Sequence, residues 1–136
     1  MPQAAEQAEN LFQAALEIRA RAHAPYSEFQ VGVALRTETG TIHTGCNVEN
    51  VSYPEGACAE TGAISAMVAA GGGRIVELCV VADSDRPITP CGGCRQRIAE
   101  FGSPETIVYC ADLGGIRKTW SLGDLLPAAF AMDERP

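Results

Sequence analysis

The sequence predicts an α/β sandwich, a sheet of about five strands covered by helices. Three observations carry this expectation. Apolar residues recur at helical spacing near the N-terminus. Five short runs rich in β-branched residues are separated by turn residues. Two longer segments between those runs begin and end on helix-boundary residues.

Ala4, Ala8, Leu11, Ala15, Ile18 and Ala22 lie on one face of a helix over residues 3–22, which Pro25 closes. FQVGVALRT and TIHTGCNV, separated by ETG, read as two strands of a hairpin. Residues 58–70 form a second helix, ended by Gly71, Gly72 and Gly73. RIVELCVVAD reads as a central strand, and Thr89 with Pro90 as the cap and first-turn proline of a third helix reaching Phe101. ETIVYCA and GIRKTW supply two more strands around the DLGG turn. Ser121 and Asp124 then cap a short last helix stopped by Pro127. The predicted order is αββαβαββα.

The second helix is unusual in being apolar nearly all round, through Ala59, Ala63, Ile64, Ala66, Met67, Val68, Ala69 and Ala70. Such a helix is buried on more than one side. In so short a chain, that predicts either a neighbouring subunit or a place centrally under the sheet, with the oligomer favoured.

A chain of 136 residues, 46% hydrophobic and 20% charged, suits a single domain over 1–136. The net charge of −7 and pI near 4.7 argue against a surface that grips nucleic-acid phosphates. A small, roughly neutral substrate fits better. No apolar run approaches the roughly 20 residues that span a bilayer. The first residues carry Glu6, Glu9 and Glu17 without a basic stretch, so no secretory signal is expected. The expected compartment is the cytoplasm, with six cysteines kept as thiols.

Two motifs carry chemistry. Pro90-Cys91-Gly92-Gly93-Cys94 puts two thiols at i and i+3 on the start of a helix, whose free N–H groups and macrodipole stabilise thiolates. Alone, this motif serves redox dithiols, structural zinc corners and catalytic zinc pairs alike. Cys58-Ala59-Glu60 opens the other core helix. Three thiolates without a fourth protein ligand describe an open zinc site, with Glu60 placed to handle the protons of a water there. The competing readings are a packing role for Cys58, or a closed site completed by Cys46, Cys79 or Cys110. Cys79 and Cys110 fall in strand runs and read as core.

CAE followed some thirty residues later by PCGGCRQ resembles the cytidine deaminase family, in its small all-cysteine zinc class. APYSEFQVG, TGCNVENVSY, VVADSD and LGDLLPAAF extend the likeness across residues 24–130. The resemblance implies a three-layer α/β/α sandwich around a mixed five-stranded sheet, with Cys58, Cys91 and Cys94 binding one Zn2+. Water attacks C4 of the cytosine ring while Glu60 carries protons, a chemistry shared by zinc nucleobase deaminases. Cytidine and deoxycytidine are the implied substrates, and pyrimidine salvage the implied role.

The resemblance also assigns Asn47 and Glu49 to the ribose hydroxyls, Phe29 to the base and Phe130 to a neighbour's site. The resemblance also implies that the segment around Val51 and Tyr53 crosses the same subunit boundary. On sequence alone, Asn47 and Glu49 serve equally well as turn residues and Phe29 as core. The implied assembly is a homotetramer with shared active sites.

One departure stands out. Many relatives carry after CAE an Arg that bonds the zinc thiolates; here that residue is Thr61. Two helix N-termini return roughly half a unit charge each. Arg95, beside the last ligand, is the candidate for the remainder. Pro54-Glu55-Gly56 also replaces a more apolar segment. Deamination of a cytosine-containing antibiotic or of a polynucleotide uses the same zinc motif. The Asn47–Glu49 pair disfavours the first and the acidic pI the second. A zinc-stabilised binding module leaves Glu60 unused, and a thiol oxidoreductase leaves Cys58 unused.

Overall fold

Residues 75–82 are apolar on both sides of the chain, as a strand covered by helices on two faces must be. They form β3 (Ile75–Ala82), the middle of a sheet that also contains β1 (Val31–Thr37), β2 (Ile42–Cys46), β4 (Ile107–Asp112) and β5 (Gly115–Ser121). The computed structural model describes residues 2–132. Spatial order is β2-β1-β3-β4-β5. Only β3 and β4 run parallel, with Leu78 beside Val108 and Val80 beside Cys110; the other neighbouring strands are antiparallel. The parallel pair needs a crossover, which α3 (Gly92–Phe101) supplies.

Strand alternation divides the core into two layers. Val33, Leu35, Leu78, Val80, Val108 and Cys110 face α2 (Ala59–Ala69), α3 and the short α4 (Leu122–Leu125). Ala34, Cys79, Val81 and Ala111 face α1 (Pro2–Arg19) through Leu11, Phe12 and Ala15. The expected three-layer sandwich around a mixed five-stranded sheet is therefore present. Two glycines set its thickness. A Cβ on Gly32 would lie 2.1 Å from the Ala15 carbonyl oxygen, and one on Gly45 would lie 2.2 Å from the Ala63 nitrogen. Only glycine lets α1 and α2 approach the hairpin this closely from opposite faces.

Beneath α1, Arg36 Nε donates to Glu77 at 2.7 Å, and the Tyr109 hydroxyl donates to the other Glu77 oxygen at 3.1 Å. Arg36 Nη2 also donates to the Gln7 carbonyl at 2.6 Å, tying the helix to the sheet.

Two boundaries differ from expectation. The first helix ends at Arg19 rather than residue 22, because the chain turns there and the His23 nitrogen bonds the Asn47 carbonyl at 3.0 Å. The third helix is capped by Cys91, not Thr89. Pro90 precedes it in the approach, and Thr89 Oγ1 accepts from Arg95 Nη2 at 3.1 Å. The last helix follows the expected capping pattern, with Ser121 Oγ accepting from the Asp124 nitrogen at 3.1 Å.

The second helix buries Ala59, Ala63, Ile64 and Met67 but turns Ser65, Ala66, Val68 and Ala69 outward. Within one chain, it is thus not tucked centrally under the sheet.

Candidate metal centre

The helices α2 and α3 start side by side, and each has a cysteine where a Ser, Thr, Asp or Asn cap is usual. Cys58 and Cys91 hold extended backbone at these positions, and Cys94 follows in the first turn of α3. Gly45 is what allows α2 to settle against β2, so the placement of Cys58 traces back to a missing side chain on the hairpin. The sulfurs of Cys58, Cys91 and Cys94 all lie within 4.8 Å of one another. A tetrahedral zinc with Zn–S bonds of about 2.3 Å needs sulfurs roughly 3.8 Å apart, a small contraction from this arrangement. Three thiol donors with no protein fourth ligand fit one zinc and leave a coordination position open.

Electrostatics differ sharply among these groups. The Cys94 N–H, with that of Gly93, holds the Cys91 thiol below its ordinary value. Burial pushes the Cys94 thiol up, and the nearby Glu60 and Cys58 add to that. Burial likewise raises the Glu60 carboxyl, while the Cys94 thiol and the Arg97 guanidinium pull it back. Glu60 is only 5% exposed, so it faces the site rather than solvent. Cys79 and Cys110 stand outside the cluster on opposite faces of the sheet. Burial raises them to about 12 and about 11, the values of inert core thiols.

Arg95 does not bond a thiol. It donates to the Pro90 carbonyl at 2.7 Å, the Leu125 carbonyl at 2.8 Å and Thr89 Oγ1, fixing the approach to Cys91 from behind. The guanidinium that reaches a sulfur belongs to Arg97, with Nη1 3.7 Å from Cys94 Sγ. Sequence reasoning passed over Arg97, although its i+3 spacing from Cys94 was a usable signal. Thr61 is half-buried in the first turn of α2.

Beside the three cysteines opens a cavity of about 190 Å³, lined also by Glu60, Asn47, Val31, Val80 and Ile88. Asn47 is held rigidly there: Oδ1 accepts from the Val31 nitrogen and Nδ2 donates to the Phe29 carbonyl, each at 2.8 Å. Glu49 lines a neighbouring hollow of about 320 Å³ with Tyr26, Ser27, Asn50, Tyr53 and Gly56. Its carboxylate accepts from the Tyr26 and Ser27 nitrogens at 3.0 and 3.1 Å and from the Ser27 hydroxyl, which holds it below the usual range. Both residues therefore tie the segment before β1 to the end of the hairpin, and Asn47 also faces the metal centre. Phe29 is exposed and outside the residues lining the cavity. Phe130 is 75% exposed, in a separate hollow against α3 and α4. The Tyr53–Glu55 segment folds as a single 3₁₀ turn.

Fold and site together define an α/β/α protein with three thiols able to hold one zinc and a buried carboxyl beside them. Residues 5–111 match the family model described as the cytidine and deoxycytidylate deaminase zinc-binding region, and the chain belongs to that family. It is 42% identical over 126 residues to a cytidine deaminase of Sporosarcina psychrophila, covering 93% of each chain. A crystal structure of cytidine deaminase from Burkholderia pseudomallei superposes with a TM-score of 0.84 at 44% identity, covering 90% of this chain and 98% of that one. A cytidine deaminase structure from Mycobacterium tuberculosis gives 0.79 at 40% identity, covering 91% and 97%.

Proposed function

We propose that this protein deaminates cytidine and deoxycytidine hydrolytically, giving the uridine nucleosides and ammonia, with Cys58, Cys91 and Cys94 as the zinc ligands. One observation carries the reading: a buried glutamate shares a small cavity with three converging thiols that leave a ligand position open. Zinc supplies a Lewis acid that brings the acidity of a water close to neutrality. Glu60 would accept the proton of the water that attacks C4 and deliver it to ring N3, then take the remaining proton from the new C4 hydroxyl and pass it to the amine as the C–N bond breaks. Burial raises the Glu60 carboxyl above its ordinary value, the direction that strengthens it as a base.

Asn47 presents a fixed amide to the cavity, and Glu49 offers an ionised carboxylate as an acceptor; both suit the hydroxyls of a neutral sugar. Phe29 packs on the base. Val51, Tyr53, Val68 and Phe130 are large apolar residues at least half exposed or close to it, and they support a homotetramer in which Phe130 completes a neighbour's site. No helix among the described residues is long and apolar enough to cross a membrane. A cytoplasmic place in pyrimidine salvage follows from the substrate.

Ultraviolet assays with cytidine, deoxycytidine and free cytosine, read alongside ammonia release, test the reading. Both nucleosides lose absorbance and cytosine does not. If neither nucleoside reacts with zinc-loaded protein, the proposal is wrong.

A further inference from the structure

The deaminase reading leaves a charge problem at the metal centre. Three thiolates around a divalent ion carry one net negative charge, and Glu60 adds another in the same cavity. The N-termini of α2 and α3 together return about one unit of positive charge. About one unit is still missing. Thr61 cannot supply it, and the Arg95 guanidinium is committed to two carbonyls and a hydroxyl away from the sulfurs.

Arg97 has the required position. Its guanidinium folds back along α3 toward the N-terminus, with Nη1 3.7 Å from Cys94 Sγ and 3.3 Å from where a Cβ on Gly93 would stand. A side chain on a helix leans toward the preceding turn, so residues 93, 94 and 97 share one face. A cation laid over the N-terminal turn is opposed by the macrodipole and by the free N–H groups. An anionic cluster at that turn reverses the sign. Gly93 leaves the space open, since a side chain there would crowd Nη1.

We propose that Arg97 is the cation that neutralises the zinc thiolates of this chain, taking from α3 the place that Thr61 leaves vacant on α2. It acts through Cys94 and does not touch substrate, so it is a positioning residue. The same guanidinium acts on Glu60, which keeps the general base and the metal in one electrostatic unit. This inference rests on the zinc-deaminase reading of the site.

The test is zinc affinity, measured by competition with a chromophoric chelator at fixed pH for the parent, R97Q and R97K. The thiolate-to-metal charge-transfer band of the cobalt-loaded forms gives a second readout. Loss of a hydrogen-bonding partner behind a ligand typically weakens metal binding by about 10- to 100-fold, and R97Q is expected in that range. R97K restores most of the affinity and the parent's band position, because the charge is what matters. R97Q within two-fold of the parent overturns the inference. So does R97K falling as far as R97Q, which would mark a packing role. A parent that takes up no zinc overturns the underlying site reading as well, whereas a zinc-binding parent matched by R97Q overturns only the role of Arg97.

Discussion

A Cβ on Gly45 would lie 2.2 Å from the backbone nitrogen of Ala63, so β2 and α2 touch main chain to main chain. The same helix carries Glu60 and is capped by Cys58. The position of the site is therefore set by a contact on the hairpin, one layer away from the chemistry. Gly45→Ala forces α2 off the sheet, and overpacking of this kind costs about 1–3 kcal/mol. The expected result is a lower melting temperature together with weaker zinc retention on dialysis. A variant that melts lower but holds zinc as the parent does would show that the site is not coupled to this contact.

Asn47 bridges the Phe29 carbonyl and the Val31 nitrogen while facing the cavity. Asn47→Ala loses a fixed donor toward the sugar and loosens the strand entry. One hydrogen bond of this sort is worth about 1 kcal/mol, so KM for cytidine rises roughly five-fold. Zinc content stays constant. Steady-state kinetics with metal analysis checks both parts.

Tyr109 donates to Glu77, which is itself paired with Arg36 beneath α1. Burial first, and the neighbouring carboxylate second, raise its phenol to about 12 from an ordinary value near 10. The folded protein thus holds this proton more tightly than the unfolded chain. The stabilisation is complete below pH 10 and is lost as pH rises from 10 to 12. Alkaline titration of tyrosinate absorbance should show a late component that Tyr109→Phe removes.

Ser121 Oγ accepts from the Asp124 nitrogen and so caps α4. Ser121→Ala costs about 1 kcal/mol of stability. Thermal denaturation measures this, and kcat stays at the parent value because α4 carries no reacting group.

Much of this architecture was legible in the sequence because local patterns and tertiary demands agree. The apolar run at 75–82 is a strand buried on both faces, and the Ser121 cap is where its spacing put it. The two thiol motifs pointed to a cluster only when taken together, since Cys58 alone reads as packing and Cys91 with Cys94 alone also reads as a redox pair. What failed was arbitration between neighbours. Thr89 resembles a cap, but it accepts from Arg95, and Cys91 takes the cap. Arg95 adjoins the last ligand in sequence, yet on a helix the i+3 residue shares its face, and Arg97 is the one that meets sulfur. Asn47 and Glu49 were ambiguous for a physical reason: each bonds main chain of the distant 26–31 segment, and no local pattern reports a partner so far away in sequence. The outward apolar face of α2 is the feature of a single chain that bears on the proposed assembly.

The proton cycle through Glu60 is the centre of the account, and Glu60→Gln isolates it by keeping shape while removing the titratable group. Cytidine turnover is measured by absorbance on protein whose zinc content is determined in the same sample. Zinc content stays unchanged and kcat falls about 10²–10⁴-fold. Turnover within ten-fold of the parent, on fully zinc-loaded protein, would contradict that cycle.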